Sequence, residues 1–501
     1  MDDNIFLSSL FFLLLSLILA VNGLFLRKKT NPARNLPPTP SGRLPIIGHL
    51  HLLKEPLHRT LLYLSQKHGP VFSLQLGSRL MVVVSSASVA AECFTRNDVV
   101  LANRPKFIAG KYFAYNFSSI GNAPYGDHWR NLRRLAAVET LSASRLNLSS
   151  AIRQEEIEAL LRRLYRVSAS DFAQVELKSA FSELTLNIMM RTIVGKTQFG
   201  DRRFKELIQE MFELAVSSYP GDFLPFLNLV DYSGYLNRVK TLGRKLDALW
   251  QFLIDDYRKN KSELGTEDIN TMIGHLVSLQ QLQPEYYTDE MIKGHIMSML
   301  AAGTDTSAVT LEWSLSNLLN HPEVLKKATE EIDAQINSDR LVEESDLPKL
   351  QYLKSVISET LRLYPAAPLL VPHEASAGCN IGGFDVPNGA ILIANAWAIH
   401  RDPTVWDDPT CFNPERFRGV EDDSSGKMLP FGLGRRACPG MRLAGRVLGV
   451  ALGSLLRCFE WKKVSEEEID MGEGHGLTMP KLQPLVAMCK RRPIAHMLLG
   501  T

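Results

Sequence analysis

Cysteine is scarce in this chain and has no regular spacing. Six cysteines occur among 501 residues, and none forms a Cys-x-x-Cys pair. A disulfide framework or a structural zinc site depends on a recurrent cysteine pattern, so the sequence argues against both and favours a reducing compartment.

The chain also lacks an excess of charge. It has 56 Lys and Arg residues against 54 Asp and Glu residues, a formal net charge of +2. Nucleic-acid binding usually needs a strong positive balance, so we expect no nucleic-acid partner. The glycine-rich motifs that hold nucleotide phosphates are absent from any suitable context, which argues against a dinucleotide site within this chain.

No internal repeat and no linker interrupts the chain after residue 50. Hydrophobic residues make up 45% of the composition, enough to form a large core. Length alone would suggest two or three domains, but the continuity of the sequence predicts one large domain at residues 49–501.

Residues 5–26 differ from the rest because they are almost entirely apolar. As a helix this segment would be about 33 Å long, enough to span a bilayer. A cleaved signal peptide is the alternative, but it would need a basic start, and here two aspartates follow the first methionine. We therefore predict a transmembrane anchor at residues 1–26. Three basic residues, 27–29, follow it and predict that the large domain faces the cytosol.

Residues 27–48 form a basic and proline-rich connector. Proline fixes the backbone in extended conformations, so the segment is expected to be a semi-rigid spacer. Its place directly after the anchor suggests a hinge that orients the large domain on the membrane; the alternative is an ordinary loop.

The large domain is predicted to be mainly α with small β-sheets (α+β). Apolar residues at three- and four-residue steps predict helices over residues 155–167, 181–194, 203–217, 236–259 and 289–319. Two short apolar runs around Gly77-Ser78-Arg79 predict a β-hairpin, and further short strands are expected within residues 371–386 and 390–394. The βαβ alternation of a parallel sheet is absent.

Residues 430–440 place Cys438 in a loop with three glycines and two arginines. Glycine permits close approaches, and backbone N–H groups turned toward a thiolate would spread its charge. Arg436 suits a planar carboxylate such as a haem propionate. The loop therefore predicts a thiolate ligand to a haem iron, which favours O–O cleavage. The alternative, a buried structural thiol, is what we expect for Cys93, Cys379, Cys411, Cys458 and Cys489.

The spacing Phe-x-x-Gly-x-Arg-x-Cys-x-Gly, formed by Phe431, Gly434, Arg436, Cys438 and Gly440, resembles the haem-binding signature of the cytochrome P-450 monooxygenases. The resemblance covers essentially the whole chain. It implies the cytochrome P-450 fold and haem b (iron protoporphyrin IX), with Cys438 as axial ligand and the other four residues around the cofactor. It also implies NADPH as electron source, through a separate NADPH–cytochrome P-450 reductase.

Residues 301–307, Ala-Ala-Gly-Thr-Asp-Thr-Ser, lie in the middle of the longest predicted helix. Gly303 weakens a helix by about 1 kcal/mol relative to alanine, and we attribute this cost to an oxygen pocket. Thr306 and Asp305 are the catalytic candidates, because together they can hold water and pass protons. The alternative is a threonine that only bonds back to its own helix. The segment resembles the family's Ala-Gly-x-Asp-Thr motif, which favours the catalytic interpretation.

Glu359 and Arg362 lie three residues apart on a predicted helix. Alone, such a pair contributes only about 0.2–0.5 kcal/mol on a helix surface. The resemblance implies more: Glu359, Arg362 and Arg416 would form a buried triad behind the haem that fixes the cysteine loop.

The resemblance also implies contacts with the haem propionates from Trp129, Arg133 and His373. For the first two the alternative is an amphipathic basic helix, and for His373 it is a satisfied structural histidine. The exposed charges of Arg130 and Arg134, with Arg435, are expected to form a basic patch where an acidic electron donor docks.

The aromatic-rich loop at residues 107–125 would cover the distal face of the haem, by resemblance. A mostly apolar pocket suits a small, planar, hydrophobic substrate, although aromatic residues at such spacing are more often simple packing. The candidate pocket residues are Phe107, Phe113, Phe117, Met299, Ala302, Ala366, Leu370 and Met479.

Residues 123–130, together with the basic start and the hinge, resemble the plant microsomal type and its isoflavone and flavonoid hydroxylase group. The implied function is a membrane-bound haem-thiolate monooxygenase of the endoplasmic reticulum. It would insert one oxygen atom from O2 into a phenolic specialised metabolite, or couple such molecules oxidatively. The alternatives are a terpenoid or fatty-acid hydroxylase, a redox-independent isomerase or dehydratase, and a non-enzymatic haem-binding protein. The expected partners are the reductase, the substrate and membrane lipid.

Overall fold

The computed structural model describes residue 16 and residues 35–168, 171–195, 202–216, 219–231, 233–264, 271–337, 340–419 and 426–500. The predicted anchor, apart from residue 16, and the basic start of the hinge lie outside these ranges. Within the ranges, no helix combines the length and the apolar character that crossing a bilayer requires.

Helices dominate the described chain. In chain order they are α1 (Leu57–His68), α2 (Ala87–Phe94), α3 (Ile108–Phe113), α4 (Asp127–Arg134), α5 (Ala143–Leu148), α6 (Ser150–Val167), α7 (Lys178–Val194), α8 (Arg202–Val216), α9 (Tyr235–Leu264), α10 (Met272–Leu282), α11 (Asp289–Asn320), α12 (Pro322–Gln335), α13 (Gln351–Leu363), α14 (Ala396–Ile399), α15 (Met441–Cys458) and α16 (Pro493–Leu499). A π-helical segment, Leu135–Thr140, continues α4, and short 3-10 helices are Leu50–Leu52, Pro220–Asp222, Pro225–Leu229, Glu344–Lys349, Pro414–Phe417 and Gly434–Arg436.

The predicted helices are present, with shifted ends. The helix predicted at residues 155–167 begins earlier, at Ser150, because its first turns bury polar side chains that hide the apolar period. Arg153, for example, is buried and donates from Nε to Glu344 at 2.5 Å. The helix predicted from residue 289 is α11, and the Thr288 hydroxyl accepts the Met291 N–H at its start, at 3.3 Å.

Three small sheets accompany the helices. Their strands are β1 (Val71–Leu76), β2 (Arg79–Val84), β3 (Ala173–Glu176), β4 (His373–Glu374), β5 (Cys379–Ile381), β6 (Phe384–Val386), β7 (Ile391–Ala394), β8 (Phe459–Lys462) and β9 (Val486–Arg491). The strand orders are β1-β2-β7-β4, β3-β9-β8 and β5-β6. The hairpin β1–β2 is confirmed. The parallel pairing of β2 with β7, which aligns Met81 with Ile391, was not predicted. It joins distant parts of the chain rather than a βαβ unit.

The long helix α11 lies in the centre of the helical core. Most of its residues, polar as well as apolar, are buried, so the helix is enclosed around much of its circumference rather than along one stripe. It packs mainly on α7, and also on α15, the helix that follows the predicted thiolate loop. The fold therefore packs the helix that contains residues 301–307 against the helix that follows residues 430–440.

The described part of the hinge runs along β1. The Ser73 N–H donates to the Pro38 carbonyl at 2.8 Å, and the buried His49 ring contacts the Pro40 carbonyl at 3.1 Å. The described part of the proline-rich segment is thus hydrogen-bonded to the first sheet and to His49, and its role as a hinge stays a prediction.

Candidate active site

The cysteine loop is closed by its own backbone. The Cys438 N–H donates to the Phe431 carbonyl at 2.8 Å, and the Gly440 N–H points back to the Cys438 Sγ at 3.3 Å. Helix α15 begins at the next residue, Met441. The sulfur is therefore held at a helix N-terminus, where backbone N–H groups favour a negative charge.

Gly434 allows this loop to lie against α2. Its φ is +72°, a conformation that favours glycine, and a Cβ at this position would lie 2.4 Å from the Phe94 carbonyl oxygen. The neighbouring Arg435 N–H donates to the Asp98 carboxylate at 3.1 Å. The loop is thus fixed from outside as well as from within.

The Cys438 side chain is accessible although protein surrounds it. An accessible atom inside a fold lines an internal cavity. Burial raises the pKa of its thiol, and the Gly440 N–H, the Arg133 charge and the Met441 N–H oppose that rise in this order. These are the groups that would stabilise a thiolate once a metal ion replaced the proton.

Arg436 binds the backbone of two neighbouring loops. Its Nε, Nη1 and Nη2 donate to the carbonyls of Ala102, Ile120 and Ala123 at 2.7, 3.1 and 2.5 Å. Burial, and then the charge of Arg133, lowers the pKa of the guanidinium to about 10. Two of the five N–H donors of an arginine remain for another acceptor.

Trp129 lies beside the Arg436 side chain, and its predicted contact with a haem propionate stays a prediction. Its indole Nε1, the single donor of a tryptophan, donates to the Ile120 carbonyl at 3.2 Å. The ring lies 4.5 Å below the Arg436 guanidinium and packs against Tyr125. In this arrangement Trp129 shapes the wall of the site rather than donating a hydrogen bond into it.

Two further arginines lie close to the same region. Arg133 makes no hydrogen bond or ion pair with any residue that the structure describes, and burial lowers its pKa. Arg104, which the sequence analysis missed, donates from Nη1 to the Val371 and Pro372 carbonyls, each at 2.7 Å. Its buried Nε has no partner among the described atoms. Burial, with the charge of Arg436, lowers the pKa of Arg104 to about 9.

His373 is buried beside these arginines. Its Nδ1 lies 2.6 Å from the Leu101 carbonyl and must donate to it, so Nε2 of the neutral ring can only accept. Burial, and then the charge of Arg104, lowers the His373 pKa well below its ordinary value. As placed, the imidazole can donate to a propionate only after a second proton is bound.

The donor set fits a haem. Arg104, Arg133 and Arg436 are cations without a carboxylate partner in the described chain, and Arg104 has an unpaired buried N–H. Buried charges without counter-ions are costly, so this cluster requires an anionic group. The two propionates of haem b would supply it, with Cys438 as ligand to the iron. A structural thiol alone would explain none of these arginines.

On α11, Thr304 and Thr306 differ although both bond to the carbonyl four residues before them. Thr306 Oγ1 donates to Ala302 at 2.6 Å and its residue is half-buried, whereas Thr304 Oγ1 donates to Leu300 at 2.8 Å and is buried. Ala302 is itself exposed within a mostly buried helix. The back-bond that we weighed as the alternative for Thr306 is therefore present. The Thr306 oxygen can still accept a hydrogen bond, for example from water.

Gly303 requires a correction. We attributed its cost to an oxygen pocket, but a Cβ at Gly303 would lie 2.6 Å from the Met189 sulfur on α7. The glycine serves the close packing of α7 on α11 instead.

Asp305 is turned toward a different partner from the one expected. Its Oδ2 accepts the Thr478 hydroxyl at 2.5 Å, and no hydrogen bond joins it to Thr306 in the described chain. Burial raises the pKa of Asp305, and the Thr478 bond and the Lys178 charge oppose that rise. The two catalytic candidates are adjacent in sequence but have separate partners.

The structure brings Glu359, Arg362 and Arg416 together. Arg362 binds both Glu359 oxygens, at 2.7 and 2.8 Å, and both side chains are fully buried. Arg416 Nε donates to Glu359 Oε1 at 3.1 Å. The remaining arginine donors bind backbone carbonyls, including that of Cys411. This is the geometry that the resemblance implies, and its role in haem retention stays a prediction.

The candidate pocket residues are mostly buried. Met299 and Phe113 belong to the helical core, Ala302 is exposed, and Phe107 and Phe117 are half-buried. Met479 is almost inaccessible, with its N–H bonded to the Ala366 carbonyl at 3.0 Å. Leu370 is buried in the sheet core and has a φ of +53°.

The predicted basic patch is partly neutralised. Arg130 pairs with Asp127, and Arg435 pairs with Asp98 at 3.4 Å. Both guanidinium groups lie 5.5 Å from the centre of the Tyr125 ring. Arg134 is exposed.

Comparisons with known proteins agree with this geometry. The model of the family described as Cytochrome P450 matches residues 37–488. Cytochrome P450 81Q32 of Catharanthus roseus is 55% identical over 496 residues, which cover 98% of each chain. Isoflavone 2'-hydroxylase of Glycyrrhiza echinata is 51% identical over 473 residues, 92% of this chain and 93% of the relative. A zebra fish cytochrome P450 solved with abiraterone has a TM-score of 0.73 at 26% identity, over 87% of this chain and 98% of its own.

The match covers most of the chain, and the solved relative confirms the mainly helical fold with small sheets. The arginine cluster and the enclosed thiol fit the haem-thiolate cofactor that this family implies. The chain belongs to the cytochrome P450 family and is a monooxygenase, an oxidoreductase.

Proposed function

We propose that this enzyme inserts one oxygen atom from O2 into a phenolic plant metabolite of the flavonoid or isoflavone type. One NADPH, one O2 and one proton would be consumed per substrate molecule, giving the hydroxylated product, NADP+ and water. A separate reductase would transfer the two electrons, because the sequence contains no dinucleotide motif in a suitable context. The observation that carries the proposal is the accessible, enclosed thiol of Cys438 beside three partly buried arginines, Arg104, Arg133 and Arg436, which have no carboxylate partner among the described residues.

Bound haem supplies the oxygen chemistry, and the chain's own groups hold it and manage charge. Cys438 would bind the iron as a thiolate, stabilised by the Gly440 N–H and the Arg133 charge. Arg104 and Arg133 would neutralise the propionates, and Arg436 would both contribute charge and join the cysteine loop to its neighbours. The wall formed by Trp129 would exclude water from this side.

Proton delivery falls to the α11 groups. The Thr306 hydroxyl donates to Ala302 and its oxygen can still accept, so it can bind a water molecule in the cavity. Asp305 is an enclosed acid, and burial raises its pKa above the ordinary value, which favours its protonated form.

Likeness supports the substrate class. The Glycyrrhiza relative, about half of whose residues are identical, is named for isoflavone hydroxylation. Apolar candidate residues such as Phe107, Phe117 and Ala302 suit a flat aromatic molecule. Polar groups are few among the candidate pocket residues. The pocket would therefore select a hydroxyl-bearing ring by its shape and placement rather than by charge.

A spectral titration of the haem-loaded protein would test the substrate class. Isoflavones, flavonoids, lignans, terpenoids and fatty acids would each be added, and the low-to-high-spin shift measured. A shift with isoflavones or flavonoids, followed by an oxygenated product in the presence of NADPH and reductase, is expected. A shift confined to terpenoids or fatty acids would overturn the phenolic assignment and leave the enzyme class in place.

Dependence on NADPH would separate monooxygenation from redox-independent rearrangement. We expect no product without NADPH and O2. Conversion of a ligand in their absence would favour an isomerase or dehydratase.

We also propose attachment to the endoplasmic reticulum membrane, with this domain on the cytosolic side. The short helix Pro225–Leu229 exposes Phe226 and Leu229, the latter with 88% of its surface accessible. The Ser78 N–H binds the Phe223 carbonyl just before this helix, and the Gly77 N–H binds the hinge at Ile47. The exposed apolar residues thus lie beside the hinge that would lead to the anchor, which supports one membrane-facing side.

Cell fractionation would test this attachment. The full chain should sediment with endoplasmic reticulum markers, and a protease added to intact microsomes should digest the large domain. Deletion of residues 1–34 should weaken attachment, and adding Phe226→Ser and Leu229→Ser should weaken it further. Protection of the domain from protease would overturn the orientation.

The reductase would dock on the side of the cysteine loop. Arg134 and Arg442 are exposed there, whereas Arg130 and Arg435 have acidic partners. Arg442→Glu should raise the reductase concentration needed for half-maximal turnover, and high salt should reduce the difference. Arg418→Glu, on another exposed arginine, is the matched control.

A further inference from the structure

Thr478 is the only side chain in the described chain that donates a hydrogen bond to Asp305. Its hydroxyl lies 2.5 Å from Asp305 Oδ2. Asp305 is next to Thr306 on α11, whereas Thr478 belongs to the segment between β8 and β9. The bond therefore joins the central helix to a separate part of the chain.

The segment around Thr478 is attached to α11 at two more points. The Trp313 indole donates to the Met479 carbonyl at 2.7 Å, and the Leu485 N–H donates to Glu312 at 2.8 Å. Asp305 and Glu312 are seven residues apart, two turns of helix, so they lie on the same face. Three bonds along one face fix the position of Thr478 relative to Asp305.

A hydroxyl is suited to an acid that changes its protonation state. Thr478 donates to the carboxylate, and the same oxygen can accept the proton of the carboxylic acid. Asp305 can thus keep one orientation before and after it gives up a proton. The other charged group that acts on Asp305 is Lys178 on α7, which favours the ionised form.

We propose that Thr478 is a positioning residue that holds the Asp305 carboxyl in one orientation through both protonation states, so that Asp305 can deliver protons during oxygen reduction. The proposal rests on the monooxygenase function described above. It makes the segment of residues 478–485 part of the proton-delivery apparatus.

Infrared titration of the purified haem-loaded protein tests the contact without turnover. The band of the protonated Asp305 carboxyl is identified by its loss in Asp305→Asn. In Thr478→Val the band should persist to higher pH than in the wild type, because a bond that favours the carboxylate has been removed. Thr478→Ser keeps the hydroxyl and should titrate like the wild type. An unchanged titration in Thr478→Val would overturn the proposal.

Turnover with a phenolic compound that gives a spin shift supplies the second measurement. Product formed per NADPH should fall by about tenfold in Thr478→Val, the loss of roughly one hydrogen bond to a charged group, with a larger solvent deuterium isotope effect on product formation. Thr478→Ser should restore both values. Equal damage in the serine and valine variants would show that packing, not the hydroxyl, matters. If no phenolic compound binds, the substrate assignment fails while the infrared titration still decides the role of Thr478.

Discussion

Arg362 and His400 form two reciprocal hydrogen bonds, each from the side chain of one residue to the backbone carbonyl of the other. Arg362 Nη1 donates to the His400 carbonyl at 2.6 Å, and the His400 Nδ1–H donates to the Arg362 carbonyl at 3.0 Å. The His400 Nε2 then accepts the Leu429 N–H at 2.8 Å. Because Leu429 directly precedes the cysteine loop, the buried Glu359–Arg362 pair is connected to the thiolate ligand through one histidine.

The first prediction concerns Arg362→Ala. The change leaves Glu359 buried with Arg416 as its remaining cation, and removal of one partner from a buried ion pair typically costs about 3–5 kcal/mol. We expect the variant to unfold at lower urea concentration and to retain little haem, measured by unfolding curves and haem content. Arg418→Ala, which removes an exposed partner of Glu415, is the control and should behave like the wild type. Full haem content in Arg362→Ala would contradict the structural role.

The second prediction is a loss of stability in acid through His400. Burial, then the charges of Arg401 and Arg362, depresses its folded-state pKa to about 3, with the Arg362 carbonyl bond opposing. The unfolded ring has a pKa of about 6.5 and therefore binds a proton first as pH falls. The contribution of His400 is complete above pH 6.5 and is lost toward pH 3, at up to about 1.4 kcal/mol per pH unit.

Urea unfolding between pH 7.5 and 5 would measure this loss. His400→Gln keeps a neutral side chain that can donate and accept. It should be less stable than the wild type at pH 7.5 but should lose less stability on acidification. A parallel decline in the two proteins would exclude His400 as the source.

The third prediction compares two threonines with the same local bond. Thr306→Ala should form at least about tenfold less product per NADPH, because a group that assists proton transfer is lost from α11. Thr304→Ala removes a buried hydroxyl from the same helix and should leave this ratio unchanged. NADPH consumption, peroxide and product would be quantified together. If Thr306→Ala and Thr304→Ala formed the same amount of product per NADPH, Thr306 would have only a structural role in the helix.

The sequence predicted what depends on local pattern. The start of α11 follows from a cap, Thr288, and two acids in the first turn, and each is found there. The hairpin β1–β2 follows from two apolar runs around one turn. The cysteine loop was predicted from the long and restrictive spacing Phe-x-x-Gly-x-Arg-x-Cys-x-Gly. In all of these, the determining residues are neighbours in the chain.

What the sequence did not predict depends on contacts between distant residues. Gly303 has no side chain because Met189, on another helix, packs against it. Asp305 accepts its hydrogen bond from Thr478, which is distant in sequence. Arg104 is one of many arginines, and no spacing distinguishes it. His400 has an equally ordinary context, and only the fold shows that both of its nitrogens are used. Packing and burial, rather than composition, give these residues their roles.

The last prediction concerns Arg104, whose buried Nε lacks a partner among the described atoms. A buried cation is costly until an anion approaches, so haem should bind more tightly because Arg104 is there. Arg104→Met should weaken haem affinity by about 10- to 100-fold, the equivalent of one charged hydrogen bond of roughly 1.5–3 kcal/mol. Transfer of haem to an excess of apo-myoglobin would measure this. Arg79→Met is the matched control, because Arg79 also donates to a backbone carbonyl, that of Lys106, at 2.9 Å. Since Arg79 does not belong to the arginine cluster around Cys438, equal haem loss in the two variants would mean that Arg104 supports the fold and not the propionates.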